Sequence, residues 1–193
     1  MSVQEQAILD RVNADNWAVL YRCRWSNPDA EREVPQIAGL LESDDFLITN
    51  EALRALFRIG TPAASAAPVV AKLTRSKHAM TKQLAVLTLG QIAHEFPEVC
   101  VEPLALALDD PLCCRDALRS LAFIGPDAIG GLKYVLPLLT NSDAKIRKDA
   151  VKAASAIDAE QPEVAEMIRK ATTDRSKIVR EAASKCLRRA ENR

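Results

Sequence analysis

Aromatic residues make up only 4% of this chain, with four Phe, two Trp and two Tyr. That argues against a β-sandwich, whose strands draw on β-branched and aromatic side chains. Histidine occurs twice and glycine six times. No His-Glu-x-x-His, glycine-rich phosphate loop or Ser-His-Asp order is present, so the motifs of metal, nucleotide and triad chemistry are missing. Five cysteines, Cys23, Cys100, Cys113, Cys114 and Cys186, form an odd set without Cys-x-x-Cys spacing. They read as reduced thiols rather than as a disulfide framework. No apolar run approaches the ~20 residues of a membrane-spanning helix, and no apolar signal segment precedes the cysteines. The expected setting is the cytoplasm, with no membrane partner. Basic and acidic residues balance at 26 each, which leaves no net field to draw the molecule to nucleic acid or anionic lipid.

What is present is a period. The segment Asp116-Ala117-Leu118-Arg119-Ser120-Leu121-Ala122-Phe123-Ile124-Gly125 has siblings built on Ala52, Ala85, Ala150 and Ala183, spaced 33, 32, 33 and 33 residues apart. A fixed interval of this size marks a stacked supersecondary unit. Around each reference alanine, offsets −4, 0, +3, +4 and +7 are apolar or small and share one helix face. The five sets are Ile48, Ala52, Ala55, Leu56, Ile59; Thr81, Ala85, Thr88, Leu89, Ile92; Cys113, Ala117, Ser120, Leu121, Ile124; Ile146, Ala150, Ala153, Ala154, Ile157; and Val179, Ala183, Cys186, Leu187, Ala190. Two columns are always small, which lets helix axes approach closely. Preceding first helices carry Ile37, Leu40 and Leu41; Val70 and Leu73; Val101, Leu104 and Leu108; Val135, Leu138 and Leu139; and Ile168, Ala171 and Thr172.

With 48% hydrophobic residues, the pattern predicts an all-α fold: a right-handed α-solenoid of about six helix pairs in one continuous domain. Residues 1–33 fit the repeat poorly and read as an N-terminal capping helix pair, with Trp17 and Trp25 as packing residues. Five repeats follow at about 34–66, 67–99, 100–132, 133–165 and 166–193. Asn27-Pro28 opens the first, and Gly60-Thr61-Pro62 ends its second helix.

An Asp in the turn, then Val-Arg, then Ala-x-x-Ala-Leu-x-x-Ile-Gly is the pattern that these segments approach. The fourth repeat shows Asp143, Ile146-Arg147, Ala150, Ala153-Ala154 and Ile157; the fifth keeps Val179-Arg180, Ala183 and Cys186-Leu187. The third has Cys113-Cys114 in place of Val-Arg, and the second has His78 and Lys82 in place of the Asp and Arg. On these residues the chain resembles the HEAT family, and more narrowly its short bacterial phycobilisome-lyase-type repeats. The resemblance implies a ladder in which the turn acids Asp45, Asp110 and Asp143 pair with Lys82, Arg147 and Arg180. It also implies that second helices line a concave face. A lyase-like role rests on the family analogy alone.

Candidate sites are few. Offset +2 carries Arg54, Leu87, Arg119, Lys152 and Lys185, flanked by Arg115, Lys148, Arg188 and Arg189. From Lys133 to Arg193 there are 14 basic and 9 acidic residues. The binding residues expected on the concave face are Arg54, Arg115, Arg119, Lys148, Lys152, Lys185 and Arg188. Glu51, Asp116 and Asp149 lie three residues before Arg54, Arg119 and Lys152, so local ion pairs compete for the same charges. Phe57 and Phe123 read as inter-helix packing rather than base-stacking platforms. His78 and His94 lack ligand-spaced partners, and Cys113-Cys114 reads as packing rather than redox chemistry. The functional expectation is a non-catalytic scaffold that binds a protein partner through its concave face, without metal or cofactor. Nucleic-acid backbone binding by the basic column is the alternative.

Overall fold

The structure, a computed structural model, describes Leu20, residues 30–93 and residues 95–191. Trp17, Cys23, Trp25, Asn27, Pro28 and His94 lie outside the described residues, and with them most of the expected N-terminal cap. Among the described residues every regular element is helical. The chain forms two compact units, Met1–Phe96 and Pro97–Arg193.

In the first unit, α1 (Ala30–Leu40) and α2 (Phe46–Ile59) form one hairpin. A 3-10 segment, Thr61–Ala66, then runs into α3 (Ala67–Leu73), which pairs with α4 (Ala79–Ile92). Helix α2 packs along α4. In the second unit, α5 (Pro97–Leu106) precedes α6 (Cys114–Ile124). A 3-10 segment (Gly125–Gly131), the single turn α7 (Leu132–Val135) and a second 3-10 segment (Leu136–Thr140) lead to α8 (Ala144–Asp158). Helices α9 (Pro162–Ala171) and α10 (Lys177–Glu191) complete it, with α8 packed between α6 and α10.

The second helices are the regular ones, and their ends are written in the sequence. Asp45 and Asp143 cap α2 and α8 by accepting from the N–H groups of Leu47 (2.9 Å) and Lys145 (2.7 Å), which satisfies donors that the helix leaves unpaired. Gly60 and Gly125, each eight residues after a reference alanine, end α2 and α6 at φ +72°, where a side chain would strain the backbone.

The first helices are less regular than their apolar rhythm predicts. Pro62, Pro68, Pro126 and Pro137 stand at the starts of short helical pieces, because a ring without an N–H favours a first turn over a helix interior. Helical and 3-10 residues run from Cys114 to Thr140, a length and composition sufficient to cross a bilayer. This run is not a single rod. Gly125 turns it, and Leu118, Leu121, Leu132 and Val135 are buried within the unit.

The five reference alanines, Ala52, Ala85, Ala117, Ala150 and Ala183, all have 0% exposure. The stripe around them is buried apart from half-buried Ile59, Ile146 and Leu187 and exposed Ala190. The buried face is one column wider than the sequence pattern shows. Leu53, Val86, Leu118 and Val151, at offset +1, are each fully buried, and only Ser184 of the last helix is half-exposed there. Two hydrogen bonds join α2 and α4 inside this contact: Thr81 Oγ1 donates to Asn50 Oδ1 at 2.7 Å and Thr88 Oγ1 to the Leu53 carbonyl at 3.1 Å. The hydroxyls are therefore partners as well as small packing groups.

Ala117→Leu should overpack the contact of α6 with α8 and cost about 1–3 kcal/mol. Leu118→Ala should cost about 2–5 kcal/mol by leaving a cavity. Both are read from denaturant unfolding, and a loss under about 0.5 kcal/mol for either, the size of an ordinary surface substitution, would contradict the packing.

Candidate functional site

The charged residues of the second unit form two systems. One is the ladder. Arg147 on α8 is 4% exposed. Its Nε and Nη2 each donate at 2.8 Å to the two carboxylate oxygens of Asp174 in the α9–α10 turn. Its Nη1 donates to the carbonyls of Asn141 (2.8 Å) and Ser142 (3.0 Å) in its own turn. One guanidinium thus clamps two successive turns, a use that its planar fork suits and a lysine could not reproduce.

This corrects the expected pairing. Asp143 and Arg147 lie four apart, but Asp143 caps its own helix, and Asp110 accepts from the Leu112 N–H at 2.9 Å in the turn before α6. The acid of the ladder is Asp174, two residues earlier in the repeat than the capping position. That column reads Ser43, Ser76, Leu108, Asn141 and Asp174, and four of its members accept from the backbone N–H two residues on. One repeat before the Arg147–Asp174 rung, Cys114 stands in the arginine's place and Asn141 in the aspartate's. Both members are neutral together.

The second system surrounds Asp149, a carboxylate on α8 only 4% exposed. Arg115 reaches it from α6 through Nε at 3.0 Å and Nη2 at 2.9 Å. Arg119 Nε lies at 3.7 Å and Lys148 Nζ at 3.3 Å. Arg119 also bonds Asp116 at 3.1 Å, and in the first unit Arg54 bonds Glu51 at 2.6 Å. Asp149 does not pair with Lys152, contrary to the three-residue spacing. It turns instead to the preceding helix.

Four of the seven expected binding residues, Arg54, Arg115, Arg119 and Lys148, are therefore engaged with carboxylates. Arg188 is exposed but does not line the groove described next. Lys152 and Lys185 do line it, together with Arg189. This groove of about 410 Å³ has a floor of Ala122, Ser155, Ala156, Ala159, Ala182, Cys186 and Ala190, and no carboxylate in its lining. The reason is positional. Asp149 stands one residue before its reference alanine and neutralises Arg115 and Arg119 of the preceding helix; in the next repeat that position is Ala182. Lys152, the counterpart of Arg119, faces an alanine where Arg119 faces an acid.

The remaining chemistry is quiet. His78, exposed, stacks on Phe46 with ring centroids 4.9 Å apart. Burial, reinforced by Glu98, pushes the Cys100 thiol up to about 12. Burial also raises Cys114, with Asp109 adding to it. Neither supplies the thiolate that nucleophilic or redox chemistry uses.

Hydrogen bonds from Arg147 hold the Asp174 carboxyl below its ordinary range, against the opposing effect of burial. A depressed folded-state pKa gives stability that is present above the unfolded value, about 3.9, and lost as pH falls through the folded one. Asp174→Asn should therefore remove part of the acid-limb slope in a stability-against-pH profile. Arg147→Ala should cost about 1–3 kcal/mol near neutral pH, since it also releases two carbonyls. An unchanged acid limb in the Asn variant would show that the clamp does not contribute.

No family model and no curated protein matches the chain. Solved structures do. An engineered protein matches with a TM-score of 0.71 at 22% identity, covering 100% of this chain and 98% of its own. A designed armadillo repeat protein in complex with the peptide (KR)4 matches at 0.73 and 18% identity, covering 97% and 99%. The complex of CpcE and CpcF of phycocyanin lyase from Nostoc sp. matches at 0.59 and 17% identity, covering 81% and 98%. With its repeating helical hairpins, the chain has the armadillo/HEAT-like α-solenoid fold.

Proposed function

We propose that the chain is a non-catalytic scaffold, and that its second unit holds an acidic segment of a protein partner in the groove lined by Lys152, Lys185 and Arg189. The observation that carries this reading is the replacement of the Asp149 position by Ala182. Upstream cations on this face spend their charge on carboxylates, whereas three cations over the alanine floor have none among the described residues. A shallow, small-residue floor admits an extended backbone, and the long side chains around it can reach the partner's carboxylates.

Two structural likenesses support a binding role. A designed armadillo protein of this fold holds a basic peptide, and the CpcE–CpcF pair is a protein complex. This groove carries the opposite charge from a basic peptide, so the complementary ligand is acidic. No aromatic side chain lines it, which leaves bases nothing to stack on and places nucleic acid second.

The test closes the groove without touching a lysine. A short peptide of alternating Asp and Glu is titrated into the wild-type chain and into Ala182→Asp, which puts a carboxylate at the position equivalent to Asp149. Affinity should drop about tenfold or more in the variant and weaken with added salt, with folding intact by circular dichroism. Equal affinity for the two proteins would rule the groove out. Tighter binding of single-stranded DNA, with a steep salt dependence, would transfer the site to the nucleic-acid alternative.

A further inference from the structure

The ladder has an open rung on α10. Arg180 repeats the position of Arg147 one repeat later, and it is anchored in the same way. Its Nη1 donates to the Asp174 carbonyl at 2.8 Å and to the Arg175 carbonyl at 3.2 Å, six and five residues back. Arg147 takes Asn141 and Ser142 at the same two offsets. In Arg147 this anchoring leaves Nε and Nη2 aimed at the next turn, where they grip the Asp174 carboxylate. In Arg180 the same two groups have no partner among the described residues. The guanidinium is half-buried and fixed by its own turn, so most of its rotamer entropy is already lost before any ligand arrives.

Around it, apolar and small residues of α10 are partly exposed. Ile178 is 41% exposed, Leu187 is half-buried and Ala190 exposed, where α8 has Ile157 buried at the position of Ala190. Ser184 stands where Leu53, Val86, Leu118 and Val151 are fully buried. The apolar area offered is thus smaller and more polar than an interior repeat contact. That suits a reversible contact in which the charged clamp supplies the specificity.

We propose that this end of the second unit is an interaction surface for a helical hairpin of a partner molecule, whose interhelix turn places an aspartate carboxylate on Nε and Nη2 of Arg180. The occupant follows from the structure itself, since the hairpin formed by α9 and α10 is what the identically anchored Arg147 holds. The proposal does not depend on the lysine groove. Lys152→Glu should leave it intact, so failure of one reading is separable from failure of the other.

The probe is a synthetic peptide copying residues 161–191, added to the full chain while exchange of arginine Nε protons is followed by isotope-edited NMR. The Arg180 Nε proton should exchange rapidly in the chain alone and slow by about tenfold or more with the peptide, approaching the protection of Arg147. A peptide with Asn in place of its aspartate should give no slowing, and Arg180→Gln should abolish peptide binding. Because a free hairpin can fail to fold, the same segment is also joined after Arg193 by a flexible linker. There the Asp form should melt at a higher temperature than the Asn form. Slowing or a melting difference in either arrangement supports the proposal. Equal exchange and equal melting for the Asp and Asn forms in both arrangements overturn it.

Discussion

Within each unit, the structure depends on how close one second helix lies to the next. Ala52, Ala85, Ala117, Ala150 and Ala183 are all sealed from solvent. Close approach of this kind gains dispersion contacts along the whole helix, and it sets α4 against α2 in the first unit and α6 and α10 against α8 in the second. The first helices are freed from that demand. They tolerate prolines and 3-10 turns, and their contacts divide between their own hairpin partner and the neighbouring first-helix segment. Gly131 shows the alternative way of reaching close packing there: a Cβ on it would meet Leu121 Cδ2 at 3.2 Å and Val101 Cγ1 at 3.4 Å.

Much of this was legible from residue spacing. A helix face reports itself through a period near 3.6, so the reference alanines and their apolar neighbours could be placed before any coordinates. Offset +1 was not, because Leu53, Val86, Leu118 and Val151 alternate in the sequence with Arg54, Arg119 and Lys152, and a narrow stripe template assigns them to the flank. Nor were the roles of Thr81 and Thr88. Small size and hydrogen bonding make the same substitution pattern, and only the position of Asn50 and the Leu53 carbonyl separates them.

Charge pairing is less legible in the sequence than packing. Spacing along one helix identifies neighbours three or four residues apart, and by that rule Asp149 belonged to Lys152 and Asp143 to Arg147. The structure gives Asp149 to Arg115 of the preceding helix and gives Asp174, 27 residues on, to Arg147. In both cases a cross-helix partner wins because it offers a bidentate or multiply bonded, largely buried carboxylate. A local pair on a solvated face offers a few tenths of a kcal/mol. A sequence signal for the cross-helix partners did exist. It lay in comparing repeats column by column, where Arg with Asp in one rung becomes Cys with Asn in the one before.

The same comparison explains why charge is distributed so unevenly over one face. A cation on this face is available to a ligand only where no neighbouring acid takes it up. At Asp149 the acid is kept, and three cations are absorbed by one buried carboxylate. At Ala182 it is gone, and Lys152 stands over a floor of methyl groups with Lys185 and Arg189 beside it. Keeping an acid at this column adds cohesion between helices, whereas losing it exposes charge at some cost to that cohesion. An alanine at this column gives up a stabilising partner and leaves Lys152 without a carboxylate among the described residues.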